Sequence, residues 1–212
     1  AIKNLKREGL AKTAVFTGDV MFDCVMKFYD IAKKHCSPLS KFGLEEKKYY
    51  LVTCHRQENT DNPKNFTQII QSLNELSKNI KIIFPVHPRT RKLLEQTGSK
   101  LSGNIVICSP LSYFETLVLQ KNSALILTDS GGIQKEAFFL SVPCVTMRDE
   151  TEWIETVQSG WNIVTGANKA KIMQAIAKFA KKQPCDPRKN FFGNGNASEI
   201  IVDNIISFLK QL

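Results

Sequence analysis

Short apolar runs alternate with helix-sized amphipathic segments along most of this chain. Continuous apolar runs bounded by turn residues are typical of strands buried on both faces of a parallel sheet. We expect strands at residues 14–17, 49–54, 80–86, 105–108, 124–128, 143–147 and 162–164. We expect helices at residues 20–35, 64–77, 89–96, 112–121, 132–140, 152–158, 169–182 and 197–209. The alternation predicts an α/β fold, a doubly wound parallel sheet with helices on both faces.

Polar and titratable side chains follow the predicted strands. In such a sheet the ligand lies in the crevice beyond the carboxyl ends of the strands. Two of the chain's 3 histidines stand at these positions, together with arginines and carboxylates. The strand ends are residues 18–19, 55–59, 87–89, 109–111, 129–132 and 148–152. Their joint placement predicts a ligand site at one edge of the sheet.

The segment 125–136, LILTDSGGIQKE, is the most informative of these strand ends. Gly131 and Gly132 let backbone amides approach an anion, and Ser130 adds a hydroxyl donor. The amino terminus of the following helix supplies further amides and a positive dipole end, which suits a diphosphate. Glu136, one turn into the helix, can reach a ribose diol. The alternative is that Asp129 and Ser130 only cap the helix and the glycines only form a tight turn.

The histidine and arginine strand ends each allow two interpretations. His55 can donate to a phosphate or transfer a proton, or it can simply bond a backbone carbonyl. Arg56 can hold phosphate or pair with Glu58. His87 is held extended by the following proline and serves either a phosphate or sugar contact or a structural purpose. Arg89 begins a helix, where a cation is poorly placed unless an anion is nearby, which favours a ligand contact.

The loop after the strand at 143–147 is also dense in charge. Arg148 and Glu152 are second-choice site residues by their position at a strand end. Thr151, Glu152 and Glu155 can instead cap and charge the start of a helix. Trp153 is more typical of core or cleft wall than of a ligand stacker.

Charge and composition narrow the class of protein. The formal charge of +9 invites a nucleic-acid interpretation, since basic patches attract phosphate polymers. The basic residues are spread over helix faces, without a basic block or interleaved aromatic motif, so we expect no nucleic-acid partner. No apolar run approaches the length of a membrane span, and we expect no membrane partner. A phosphate-bearing small molecule fits the local motifs better.

The 6 cysteines are scattered without the spacing of a metal site. Most adjoin apolar runs, where a free thiol behaves as a small hydrophobe, so a reducing cytoplasm is the expected setting. No Ser/His/Asp order or metal-ligand cluster stands out. We therefore predict neither a metal nor a hydrolase site.

Five motifs in order resemble one enzyme family. They are TCHRQEN, FPVHPRT, LTDSGGIQKEA, PCVTMRDETEW and FGNGNAS, and together they are similar to the non-hydrolysing UDP-N-acetylglucosamine 2-epimerases. The resemblance implies a Rossmann-like domain, the C-terminal half of a GT-B fold, with residues 15–212 as the UDP-binding domain and 1–14 as the tail of a preceding helix. It also implies that the N-terminal domain, which brings most of the family's catalytic carboxylates, is absent here.

The resemblance implies roles for individual residues. His55 falls on the family's cleft histidine, which lies by the diphosphate and assists the departure and return of UDP. The family's phosphate cradle falls on Ser130, Gly131 and Gly132, and its ribose-binding glutamate on Glu136. The remaining carried-over positions are His87, Arg148 and the uracil loop from Ser112 to Thr116.

The implied reaction inverts the sugar C2 centre by eliminating UDP and adding it back on the other face, without a cofactor. The fragment alone is expected to be inactive, and a homodimer is possible in this family, which serves cell-surface polysaccharide synthesis. Lys135 replaces a common acidic residue, which we expect to change only a surface. TEWIE replaces the frequent TERPE, which resembles the subgroup acting on UDP-2,3-diacetamido-glucuronate. A GT-B glycosyltransferase half and a stand-alone nucleotide-sugar binding module remain alternatives.

Overall fold

The computed structural model describes residues 2–98, 100–182, 184 and 191–211. Its strands are β1 Tyr49–Thr53, β2 Lys81–Pro85, β3 Ile105–Cys108, β4 Leu125–Thr128, β5 Cys144–Thr146 and β6 Asn162–Val164. Its helices are α1 Ile2–Arg7, α2 Val20–His35, α3 Pro38–Lys41, α4 Gln57–Thr60, α5 Pro63–Leu76, α6 Pro88–Gln96, α7 Tyr113–Asn122, α8 Gly131–Phe139, α9 Ile154–Gln158, α10 Lys169–Lys181 and α11 Ala197–Leu209.

The strands form one parallel sheet in the order β3-β2-β1-β4-β5-β6. The chain builds the sheet outward from β1 in one direction and then restarts at β4 in the other. The carboxyl ends of β1 and β4 therefore flank the point where the strand order reverses, which is where such sheets bind ligands. The predicted Rossmann-like α/β fold is confirmed.

Two apolar layers cover the sheet, as the continuous apolar strands require. On one face, Val52, Phe84 and Leu127 pack with residues of α5 and α10. On the other face, Leu51, Ile83 and Ile126 pack with residues of α2, α7 and α8. The strand side chains alternate between the two layers, so both faces are buried and only the strand ends remain for chemistry.

The FGNGNAS motif serves a close chain crossing. Gly18 and Gly193 have φ of +96° and +80°, and a Cβ at residue 193 would lie 2.8 Å from the Cα of Gly18. Asp23 on α2 then accepts hydrogen bonds from the amides of Ala197 (3.1 Å) and Ser198 (2.7 Å). This crossing joins the amino end of α11 to α2.

One predicted strand is wrong. Residues 14–17 are extended but pair with no strand, and Val15 and Phe16 are exposed. A four-residue apolar run has the same pattern whether it is a strand or a connecting segment that lines a groove, and here it lines a groove of about 640 Å³. The short helices α3 and α4 were not predicted, because a single turn shows no apolar period.

Candidate functional site

A buried carboxylate joins the two strand ends at the reversal point. Asp129, directly after β4, is 1% exposed. Its Oδ2 accepts hydrogen bonds from the amides of His55 and Arg56, each at 3.0 Å, and from Asn59 Nδ2 at 3.0 Å. Asn59 also donates to the carbonyl of Met147 at 2.9 Å. Asp129 therefore holds the turn after β1 against β4 and β5, a role that sequence reasoning missed.

His55 stands on this turn with one ring nitrogen toward α6. Its Nδ1 lies 3.4 Å from Thr90 Oγ1, and Thr90 is 1% exposed. Partial desolvation is the largest effect on the His55 imidazole, and it lowers the pKa of His55. The charge of Asp129 opposes this by raising the pKa, and a charge on His87 lowers it further. The ring is therefore mostly neutral at physiological pH and keeps an exposed edge.

His87 lies at the end of the neighbouring strand β2 and caps α6. Its Nδ1 accepts a hydrogen bond from the amide of Arg89 at 3.4 Å, so the ring satisfies one free amide of the helix. The structural use that the sequence left open is therefore present. The imidazole is nevertheless exposed, so a ligand contact through Nε2 is available as well.

The amino terminus of α8 opens the second side of the crevice. Ser130 is its N-cap, with Oγ accepting from the amide of Ile133 at 3.5 Å. Gly131 and Gly132 begin the helix and have no positive φ. A tight turn is therefore not the reason for the glycines. A Cβ at residue 131 would lie 3.4 Å from Trp153 Nε1 and 3.5 Å from Glu152 Oε2, so these side chains border the helix end, where Gly132 is exposed.

Glu136 is a buried carboxylate in the second turn of the same helix, 7% exposed. One oxygen accepts a hydrogen bond from Gln120 Nε2, and burial raises the pKa of Glu136. A buried carboxylate with an uncompensated desolvation cost is typical of a functional position. The six steps from Ser130 to Glu136 rise about 9 Å along the axis, so one elongated ligand can contact both.

Arg148, Glu152 and Glu58 form a charged group beside α8. The Arg148 side chain is 6% exposed, and Nη1 donates to both oxygens of Glu152 at 3.0 and 3.1 Å. Burial disfavours the Arg148 charge, but the hydrogen bond and charge of Glu152, together with the charges of Glu58 and Glu150, outweigh it and the pKa of Arg148 is raised. Glu58 Oε2 lies 3.7 Å from Arg148 Nε, which has no hydrogen-bond partner among the described residues.

Arg56 belongs to the same group through its charge. Its guanidinium contributes to lowering the pKa of Glu152, after the larger effects of the Glu152 amide and of Arg148. The side chain of Arg56 is exposed at the crevice. The pair with Glu58 that the sequence allowed is not formed in the structure, where Arg148 approaches Glu58 instead.

Two further candidates have partners within the protein. Arg89 pairs with the carboxylate of Asp61, so the anion expected near this helix start comes from the protein itself. Thr116 Oγ1 donates to the carbonyl of Ser112 at 2.9 Å, inside the first turn of α7. Each side chain thus has a partner within the protein, and both remain second-choice residues.

The expectation that Lys135 changes only a surface is wrong. Lys135 is 6% exposed, pairs with Asp19 at the N-cap of α2, and has its Nζ 4.1 Å from the centroid of Trp153. The helix direction explains the difference, because the residue before Glu136 points toward α2 and not toward solvent. Lys135 therefore connects α8, α2 and the loop that carries Glu152.

The other chemical expectations concern thiols, metals and membranes. Cys54 and Cys144 are buried, and burial raises the pKa of both thiols, to about 12 for Cys144. The described cysteines are free, and Cys185 lies outside the described residues. The described ranges contain no cluster of three metal-ligating side chains. No helix in the same ranges is long and apolar enough to cross a bilayer.

Known proteins similar to this chain are 2-epimerases of UDP-sugars. Residues 1–206 match the sequence model of the family described as UDP-N-acetylglucosamine 2-epimerase. A UDP-N-acetylglucosamine 2-epimerase homolog of Methanococcus maripaludis is 48% identical over 206 residues, covering 94% of this chain and 56% of the relative. The UDP-2,3-diacetamido-2,3-dideoxy-D-glucuronate 2-epimerase of Pseudomonas aeruginosa is 41% identical over 207 residues, covering 96% and 56%.

A solved structure shows the same fold. The UDP-GlcNAc 2-epimerase of Methanocaldococcus jannaschii, in complex with UDP-GlcNAc and UDP, superposes with a TM-score of 0.85 at 38% identity, covering 97% of this chain and 58% of that one. The chain thus spans little more than half the length of the relatives that it matches. By its sequence and its fold, this chain belongs to the UDP-N-acetylglucosamine 2-epimerase family.

Proposed function

We propose that this chain is the UDP-sugar-binding part of an epimerase that interconverts UDP-N-acetylglucosamine and UDP-N-acetylmannosamine by eliminating and re-adding UDP. The observation that carries the proposal is the pairing of an open helix amino terminus at Gly131 with the buried carboxylate of Glu136, both at the strand-order reversal. A diphosphate suits the former and a ribose diol the latter. The family to which the chain belongs is the reason for proposing UDP as the nucleotide.

The proposed phosphate contacts are the polar groups at the amino terminus of α8 and at the neighbouring strand ends. The Gly131 and Gly132 amides and the Ser130 hydroxyl would meet the diphosphate, with the α8 dipole adding about 0.3–2 kcal/mol. Arg56 and His87, exposed at the neighbouring strand ends, would approach the same charge from the β1 side. The pairing of Arg148 with Glu152 holds a cation beside the cradle without leaving it uncompensated before the ligand binds.

Glu136 would accept the ribose hydroxyls. Its hydrogen bond to Gln120 uses one carboxylate oxygen and leaves acceptor capacity on the other. The first turn of α7, from Ser112 to Thr116, is the proposed contact for uracil through its backbone. His55 is the proposed catalytic group, assisting the departure and return of the diphosphate. Glu58, Arg89, Glu152 and Thr116 stay second-choice contacts.

We also propose that residues 15–212 form the UDP-binding domain, that residues 1–14 lead into it, and that a further domain completes the enzyme. The relatives extend well beyond the matched region, since the chain covers 56% of the M. maripaludis relative. Helix α11 supports the proposal because it exposes a row of large apolar side chains, which need a partner surface. They are Val202, Ile205, Ile206, Phe208 and Leu209.

A modified sugar is the second candidate substrate, favoured by one residue. TEWIE departs from TERPE at Trp153 and Ile154, and Trp153 Nε1 lies 3.4 Å from where a Cβ at Gly131 would stand. A residue so close to the cradle can alter the space for the sugar. The P. aeruginosa relative is named for a UDP-2,3-diacetamido sugar. UDP is common to both substrates.

The cellular setting is also part of the proposal. Fully buried thiols such as Cys54 and Cys144 act as small apolar groups, which suits a reducing cytoplasm. A product destined for cell-surface polysaccharide would be made there. The cytoplasmic setting is proposed from the cysteines, and the polysaccharide product from the family.

Calorimetric titration with UDP tests the nucleotide site. We expect saturable binding with a Kd on the order of 1 mM, about −4 kcal/mol, for this part of the protein. Gly131→Ala should fold, because the new Cβ meets only ordinary contacts, but should weaken binding by covering the amides. Glu136→Gln should weaken binding by losing a two-hydroxyl acceptor.

Matched controls separate local from general effects. Gly103→Ala adds a Cβ with nothing within 4 Å, and Glu95→Gln alters an exposed glutamate on α6. Neither should change UDP affinity. Equal binding by both test variants and both controls would place UDP elsewhere. Backbone amide shifts at residues 131–136 under several-millimolar UDP locate the contact directly, and their absence would refute the proposed cradle.

A further inference from the structure

The two crevice histidines differ in what bonds their Nδ1 atoms. Thr90 Oγ1 lies 3.2 Å from the carbonyl oxygen of Cys54 and 3.4 Å from His55 Nδ1. A carbonyl oxygen only accepts, so the single hydroxyl proton of Thr90 is used in the bond to Cys54. The hydroxyl oxygen can then only accept from the imidazole. His55 must carry its proton on Nδ1 to complete this chain of two bonds.

His87 has the opposite arrangement. Its Nδ1 lies 3.4 Å from the amide nitrogen of Arg89, which only donates. The Nδ1 lone pair must therefore be free to accept, and in the neutral ring the proton is on Nε2. The structure assigns opposite tautomers to the two histidines. We propose that Thr90 is a positioning residue that fixes His55 with Nδ1 protonated and the Nε2 lone pair available at the crevice.

The two tautomers give His55 and His87 different roles in the reaction, and these roles rest on the proposed function. When His55 Nε2 takes up a proton, the Nδ1–H bond to Thr90 is unchanged, so the ring keeps its orientation as its charge changes. Protonating His87 would require a proton on Nδ1, which opposes the Arg89 amide. His55 is thus the ring that can accept and return a proton, whereas His87 is a fixed Nε2–H donor suited to a phosphate oxygen.

The burial of Thr90 strengthens the argument. At 1% exposure the hydroxyl has no access to bulk water, and a second partner must come from the protein. The residue lies in the first turn of α6, which starts beside β1 and β2, so it reaches both Cys54 and His55. A valine has nearly the same shape without the hydroxyl, and serine keeps the hydroxyl without the methyl group.

Two-bond ¹H–¹⁵N correlation of the imidazoles tests the proposal on the whole chain. The chain has 3 histidines, and His35→Gln and His87→Gln, made separately, assign the spectrum by removing one ring at a time and leaving His55 as the third. Above the titration of all three rings, we expect a pyrrole-type Nδ1 for His55 and a pyrrole-type Nε2 for His87. Thr90→Val should shift the His55 tautomer ratio roughly fivefold or more toward Nε2–H, as the loss of one hydrogen bond predicts. Thr90→Ser should restore the wild-type pattern.

Each outcome is decisive. A pyrrole-type Nε2 on His55 in the unmodified chain, or an unchanged tautomer in a folded Thr90→Val variant, would overturn the proposal. The His87 signals act as an internal check that the variant keeps its fold. UDP titration followed at the amides of residues 131–136 is separate: opposite tautomers without UDP binding would refute the proposed function and leave the tautomer assignment standing.

Discussion

Replacing Asp129 gives the sharpest test of how the site is held. Its Oδ2 accepts from two amides and from Asn59, and Oδ1 accepts from the His55 amide at 3.1 Å. Asp129→Ala leaves these donors without a partner. A buried hydrogen bond to a charged acceptor is worth about 1.5–3 kcal/mol, and losses at one acceptor are not additive. We expect Asp129→Ala to lower the free energy of unfolding by about 4 kcal/mol.

Asp129→Asn should be milder for a geometric reason. The amide oxygen can take the place of Oδ2 and keep all three donors, while the NH₂ group faces the His55 amide at the Oδ1 position. The variant then loses one negative charge and gains one repulsive contact with the His55 amide, which together lower the free energy of unfolding by about 2 kcal/mol. Urea unfolding measures both variants, with Asp203→Asn on the exposed side of α11 as a control near zero. Equal costs for the alanine and asparagine variants, or under about 1 kcal/mol for alanine, would refute the assigned role.

Three further predictions concern Glu136, Gly193 and Lys135. Burial raises the pKa of Glu136, so folding favours the protonated carboxyl group. The contribution of Glu136 to stability therefore falls as pH rises through its folded pKa. Glu136→Gln should raise Tm at pH 7 but not below about pH 4. Gly193→Ala forces a Cβ to 2.8 Å from Gly18 Cα at positive φ and should cost about 3 kcal/mol in urea unfolding, against about 1 for Gly98→Ala, which has only the positive φ. Lys135→Met should cost about 2 kcal/mol by the same measurement, whereas a surface lysine would cost almost nothing.

The local elements were predictable because their signals are local. Helix α2 has the expected bounds, and α8 starts one residue earlier than expected, since apolar periodicity and caps lie within each segment. The predicted helix at 152–158 begins at Ile154 in the structure. The prediction of a strand at residues 14–17 was wrong because a strand is defined by the strand it pairs with, and no pattern inside the run indicates whether such a partner exists.

The site residues were predictable as a set but not as contacts. Strand ends in a parallel sheet meet at one edge, so His55, His87 and Ser130 could be grouped from spacing alone. Their partners could not be foreseen. Asp129 looked like a helix cap, and Thr90 like an ordinary helix residue, because each acts on a residue more than 30 positions away.

Residue order within short motifs was enough to predict the fold class and the family, and it led to the proposal of a nucleotide cradle at residues 130–136. Only the tertiary structure decided which groups are buried together. It placed Lys135 inside the protein against Asp19 and Trp153, and it gave Arg89 a partner in Asp61. Burial and pairing set the charge and proton position of each group, and both depend on neighbours that the strand order 3-2-1-4-5-6 brings from distant parts of the chain.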